Sequence, residues 1–320
     1  MAIDIDKYRN QQKQTAVNAV NNLKEAYAFI SILTNMPYAE CEEVDYNDQV
    51  HLFEKKETAE KMQKELEEQG IRVRILELKT VEVQVPVNPK EPKGEMKKMY
   101  LNQVRQHLGT LPFLGINAIC FHPAEGQEAC IEIKEVLPED FEKKVSENPL
   151  YQPNLQLTGI YLMQEARKKK ELVDQKHLRE LDEEFSSNLV KSKLFLAVPP
   201  EGKERDPKLE LKECRLPYLK HQSGDIFFPV FTDVWEFQKY AKDKKNLRSI
   251  QIPFKELEKF WVKDAKAYMI NPHGFALPIP KDMVPKLLKR FGVESKDTPA
   301  GHCCLVGVFC GNQIPLRYQR

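Results

Sequence analysis

Apolar residues occur in two spacings along this chain, and the switches between them lay out its elements. YAFISIL (Tyr27 to Leu33) is a continuous apolar run that predicts a buried strand, and QVHLF (Gln49 to Phe53) predicts a second, set off by the polar Asp45 to Asp48. Ala59, Met62 and Leu66 then recur at helical spacing, with Glu54 and Glu57 at the start and Gly70 as a stop, so a helix is expected there. Ile71, Val73 and Ile75 alternate as a strand, and Val81, Val83 and Val85 keep the same period until Pro86 ends it. Pro86 to Lys98, with its prolines and glycine, reads as a loop, and Tyr100, Leu101, Val104 and Leu108 as a short amphipathic helix. GINAICF, the turn HPAEGQ, the strand EACIEI and a helix from Pro138 to Val145 close the segment.

A second segment runs through the same order of signals. KLFLAVP (Lys193 to Pro199) matches the opening strand and DIFFPVF (Asp225 to Phe231) matches QVHLF. Val234, Phe237, Tyr240 and Ala241 predict the first helix, SIQIPF the next strand, and Leu257, Phe260 and Trp261 a second helix. AYMI, the turn NPHG, FALPI and a helix from about Asp282 to Phe291 complete it. His122-Pro123 falls opposite Asn271-Pro272, and Leu52-Phe53 opposite Val230-Phe231. The extra length of the first copy is absorbed by the Pro-rich loop and the Val81 to Val85 extension. A shared order this long is the expected mark of a divergent duplication, and its period is far too long for a solenoid.

The fold class expected is therefore α+β, two related sheet-and-helix domains joined by a charged helical linker. The boundaries read as a polar helical segment 1–24, a first domain 25–148, a linker 149–190, a second domain 191–292 and a tail 293–320. In the linker, RKKK (Arg167 to Lys170) is balanced by LDEEF (Leu181 to Phe185), and Leu178, Leu181 and Phe185 give a narrow apolar stripe. It is expected to pack lightly on one domain, or else to serve a partner.

Charge narrows the function classes. Across 320 residues, 49 Lys and Arg face 48 Asp and Glu, a net charge of +1, which argues against nucleic acid as a partner. The polar N-terminus has no signal-peptide pattern, and no apolar run reaches the length of a membrane span, so no membrane contact is expected. Seven scattered cysteines fit reduced thiols in the cytoplasm better than a disulfide framework.

FFPVFTD (Phe227 to Asp233), followed by WEFQKYAKD, IPF (Ile252 to Phe254) and YMINPHGFALPI (Tyr268 to Ile279), resembles the N-terminal domain of the SseB, or enhanced-serine-sensitivity, family over about Lys193 to Phe291. The resemblance implies a small α+β domain and no established catalytic activity. The first copy departs from the pattern: HLFEKK stands in place of PVFTD, and CFHPAEG in place of INPHG.

Within the motif, Thr232 or Asp233 stands where a strand gives way to a helix and is expected to cap it, with a ligand contact as the alternative. Asn271-Pro272-His273-Gly274 fits a turn with His273 at its tip. Phe227 and Phe228 alternate to opposite strand faces, so one of them is under a second layer or open to a partner. These six residues are the candidate binding set. No nucleophile and base are tied by spacing, no phosphate loop occurs, and Cys303-Cys304 in the tail lacks zinc-ligand spacing, so no catalytic residue, metal or cofactor is expected. The reading is a non-enzymatic accessory or regulatory protein that binds a protein or peptide. Its alternative is an enzyme or small-molecule sensor using the cleft between the copies, and a homodimer through sheet edges or faces is the third expectation.

Overall fold

The computed structural model describes residues 5–87, 94–198, 216–221, 223–244, 247–261 and 264–293, with side chains from residue 11 onward. The tail that holds Cys303, Cys304 and Cys310 lies outside them. The chain divides into two compact units, one built on Met36–Glu147 with the strand and helix before it, the other on the residues from Asn148 onward.

The first unit runs α1 (Ile5–Asn22), β1 (Glu25–Ser31), β2 (Ala39–Cys41), β3 (Asp48–Phe53), α2 (Lys56–Glu68), β4 (Val73–Pro86), β5 (Met96–Asn102), α3 (Gln103–Thr110), β6 (Ala118–His122), β7 (Ala129–Glu132), α4 (Ile133–Val136) and α5 (Phe141–Ser146). Its 7-stranded sheet has the order β5-β4-β1-β3-β6-β7, with β2 on β3. β3 and β6 are parallel and the other pairs are antiparallel. α2 puts Ala59 and Leu66 onto Tyr27, Phe29, Phe53 and Val73, and Gly70, at φ 80°, supplies the left-handed residue that turns the chain back into β4.

The second unit runs α6 (Pro153–Ala166), α7 (Gln175–Lys191), β8 (Lys193–Val198), β9 (Leu219–Lys220), β10 (Ile226–Phe231), α8 (Val234–Ala241), β11 (Arg248–Pro253), β12 (Ala265–Ile270), β13 (Leu277–Pro280) and α9 (Met283–Arg290). Its 6-stranded sheet has the order β11-β8-β10-β12-β13, with β9 on β10. Here α8 puts Phe237 and Tyr240 onto Phe195, Ala197 and Phe231.

The two sheets agree in register as well as in order. Leu52 pairs with Phe121 across the parallel strands of the first, and Val230 with Ile270 across those of the second. Tyr27 faces Phe53 as Phe195 faces Phe231. Leu52 and Val230, and Phe53 and Phe231, are the positions that the sequence comparison sets opposite one another, and two such sheets fit a duplication.

Several elements differ from the sequence reading, and β2, β9 and α4 were not foreseen by it. Residues 96–102 form strand β5 and the helix starts only at Gln103, where Asn102 caps it by accepting the Arg105 N–H. Phe254–Phe260 forms a 3-10 helix where an α-helix was expected. The charged segment carries two helices with buried faces in the second unit: α6 buries Leu155, Ile160 and Met163, and α7 buries Leu181, Phe185 and Leu189. No helix among the described residues is long and apolar enough to cross a membrane.

Candidate functional site

Two polar clusters occupy matching places in the two sheets, at the C-terminal ends of the parallel strand pairs. In the second unit the end of β10 carries Thr232 and Asp233, and the end of β12 carries Asn271. Asn271 accepts the Thr232 N–H on Oδ1 at 2.9 Å and donates from Nδ2 to Thr232 Oγ1 at 2.8 Å and to Gln156 Oε1 at 3.3 Å. Thr232 Oγ1 and Gln156 Nε2 both donate to Asp233 Oδ2, at 3.0 and 2.6 Å. The other carboxylate oxygen accepts the Glu236 N–H at 2.9 Å, so Asp233 is the cap of α8. Burial, and then the neighbouring Glu236 carboxylate, push the Asp233 carboxyl up to about 6, against the pull of these donors.

Of the six residues in the candidate set, Phe228, Thr232, Asp233 and Asn271 are buried. Their polar atoms hydrogen-bond one another and α6, and Phe228 packs against Tyr268. Phe227 is half-buried on the opposite strand face, and His273 is exposed at the turn tip beside the Tyr240 ring. The polar members thus form an interior tie, and Phe227 and His273 are the members that retain surface.

In the first unit the matching place holds different chemistry. His51 on β3 is in register with Cys120 on β6, and Phe53 with His122, so Cys120 and His122 share one sheet face with His51. His51 Nδ1 lies 2.9 Å from His122 Nε2, and Cys120 Sγ lies 3.5 Å from that same nitrogen. The outer nitrogens face carboxylates: His51 Nε2 is 3.0 Å from Glu40 Oε1, and His122 Nδ1 is 3.5 Å from Glu128 Oε2. Gln49 Nε2 also donates to Glu40, at 3.2 Å. The His51 and His122 side chains are 3% and 11% exposed, and Cys120 is 8% exposed. Rings of Tyr38, Phe53 and Phe29 pack around the two imidazoles.

Burial pushes the Cys120 thiol up to about 12. Burial and the nearby His51 bring His122 down to about 4. Burial opposes the charge on Glu40, but its contact with His51 and its bond from Gln49 outweigh that and hold the carboxyl below its usual range. Beside β6 and β7, a cleft of about 480 Å³ is lined by Lys13 and Ala16 of α1 together with Phe121, Glu128 and Cys130.

The sequence reading did not bring His51, Cys120, His122 and Glu40 together. The available signal was the departure of the first copy from the motif, HLFEKK and CFHP, which places His51, Cys120 and His122 where the second copy has other residues.

Residues 171–286 match the SseB protein N-terminal domain, as the motif residues implied. No curated protein matches the chain. Among solved structures, Tic22 from Plasmodium falciparum is 11% identical, covering 88% of this chain and 99% of that one at a TM-score of 0.17. Anabaena Tic22, described as a protein-transport protein, is 8% identical, covering 77% and 84% at a TM-score of 0.16.

Proposed function

We propose that the protein is a non-enzymatic accessory or regulatory factor that takes a protein or peptide partner as an added strand along β5. The observation that carries this reading is the free side of β5. Among the described residues it ends the first sheet and pairs there with β4 alone, so its outer row of main-chain N–H and C=O groups has no neighbouring strand among them. Around it, Tyr100 is 74% and Met99 46% exposed, and Val81, Val83 and Val85 alternate half-buried along the paired stretch of β4. Main-chain bonds along an edge give affinity, and side chains on alternate positions give selectivity. Lys97 and Lys98 on the same strand work against pairing with a second copy and favour a partner segment that carries acidic residues beside its apolar ones.

The experiment is site-specific photocrosslinking from position 99 of the full chain in lysate of the source cells. One polypeptide cross-linked at near-stoichiometric yield is expected, lost in Tyr100→Glu with no change in melting temperature and kept in Phe227→Ala. Loss in Phe227→Ala with retention in Tyr100→Glu would move the partner to the second sheet. Absence of any polypeptide, together with a small molecule that raises the melting temperature, would overturn the reading in favour of an enzyme or sensor.

A further inference from the structure

We propose that His51, Cys120 and His122 form a binding site for a single thiophilic divalent cation, Zn²⁺ being the ion their donor set and spacing fit. Their ligand atoms, His51 Nδ1, Cys120 Sγ and His122 Nε2, all lie within 4.8 Å of one another. Around a tetrahedral zinc, bonds of about 2.1 Å to nitrogen and 2.3 Å to sulfur set neighbouring donors about 3.3 to 3.6 Å apart. The Cys120 to His122 separation of 3.5 Å already meets this. The two imidazole nitrogens, at 2.9 Å, need to open by about 0.4 Å to admit the ion.

The surroundings of the two rings give an independent argument. Each imidazole turns one nitrogen to the cluster and the other to a carboxylate, Glu40 for His51 and Glu128 for His122. The close approach of the two rings takes up one N–H, while the outer nitrogen of His51 is buried with no hydrogen bond among the described residues although the Glu40 carboxylate is 3.0 Å away. A cation between the rings removes this mismatch. Both inner lone pairs then bind the ion, both N–H groups lie on the carboxylate side, and small rotations of the rings make each histidine the middle member of a carboxylate–histidine–metal triad. Cys120 loses its proton to solvent as its sulfur binds. Three protein donors leave one tetrahedral position for water or for a donor from a partner.

The test uses the full chain with Cys41, Cys214, Cys303, Cys304 and Cys310 replaced by Ser, so that Cys120 and Cys130 are the two thiols that remain, reduced and stripped of metal. One equivalent of Co²⁺ is expected to give the visible bands of a tetrahedral site and a thiolate-to-cobalt band in the near ultraviolet. One equivalent of Zn²⁺ should bleach both and raise the melting temperature. Cys120→Ser should abolish the thiolate band, and Cys130→Ser should keep it, although Cys130 lies opposite Cys120 in register. Glu40→Gln, which removes no ligand, should weaken Co²⁺ binding by about 10- to 100-fold. If no thiolate band forms with every ligand present, the proposal fails, so a variant that does not fold leaves the test intact. A band that survives Cys120→Ser, or disappears in Cys130→Ser, also overturns this ligand set.

Discussion

Asn271 and Thr232 are bound to each other twice, backbone N–H to amide oxygen at 2.9 Å and amide nitrogen to hydroxyl at 2.8 Å, and this double tie joins the ends of the parallel strands β10 and β12. Both residues are buried, and Asn271 sits at φ 48°, a left-handed conformation that asparagine tolerates better than most residues. Asn271→Ala strands the Thr232 N–H and the Gln156 carbonyl and puts a Cβ-bearing residue with no compensating bond in that conformation. A loss of about 3 to 5 kcal/mol is expected from orphaned buried polar groups and backbone strain together. Urea unfolding would check it; a loss below about 1 kcal/mol would mean that water replaces the tie.

Gly159 on α6 lies against aromatic rings. A Cβ at this position would come within 2.7 Å of the Phe275 ring and 3.2 Å of Phe185, and both rings are buried. Gly159→Ala should therefore destabilise by about 1 to 3 kcal/mol despite the better helix propensity of alanine. Phe275→Leu in the same chain should recover part of the loss, a coupling measurable by a double-mutant cycle.

His107 of α3 is buried with neither ring nitrogen hydrogen-bonded among the described residues, and burial brings its pKa down to about 4. The folded value lies below the unfolded value of about 6.5, so the unfolded chain binds more protons between these limits. Stability contributed by the neutral ring is present above pH 6.5 and is lost as pH falls toward 4. His107→Leu should raise the melting temperature at pH 8 by removing two unpaired polar atoms, and should raise it more at pH 5, where the linkage adds about 2 kcal/mol. An equal gain at both pH values would show that His107 does not titrate in this way.

Arg105 forks to three acceptors, donating to the Val136 carbonyl at 2.6 Å and to the Asn21 carbonyl and side-chain oxygen at 3.3 and 2.7 Å. It thereby links the end of α1 to the end of α4. Arg105→Lys keeps the charge but lacks the planar fork, and should cost about 1 kcal/mol in thermal unfolding. A change within error would leave the link to packing alone.

How much of this was legible in the sequence depended on whether the signal was local. Both sheets could be traced because their strands are buried and bounded by turns, and Asp233 could be placed as a cap because capping needs only the next turn of chain. β5 was missed since MKKMYLN, exposed along much of its length, has no clean apolar alternation. α6 lacked a clear stripe because it is buried on most sides, with Gly159 rather than a large side chain against Phe275. The His51 to His122 contact joins residues 71 positions apart, and only the parallel pairing of β3 with β6 puts them on one face.

The tie between parallel strand ends has a further meaning when the two units are compared position by position. In the second unit the turn residue Asn271 reaches back to the Thr232 N–H. In the first unit the direction is reversed: Glu54, which matches Thr232, reaches forward and accepts the Ala124 N–H at 2.7 Å. The Glu54 N–H, which matches the Thr232 N–H, is met by the His122 main-chain carbonyl at 3.0 Å, so no side chain is needed for it there and a histidine can stand where the other sheet uses asparagine. Whether a main-chain carbonyl or a side-chain amide meets that N–H therefore decides which side chains the strand end can carry.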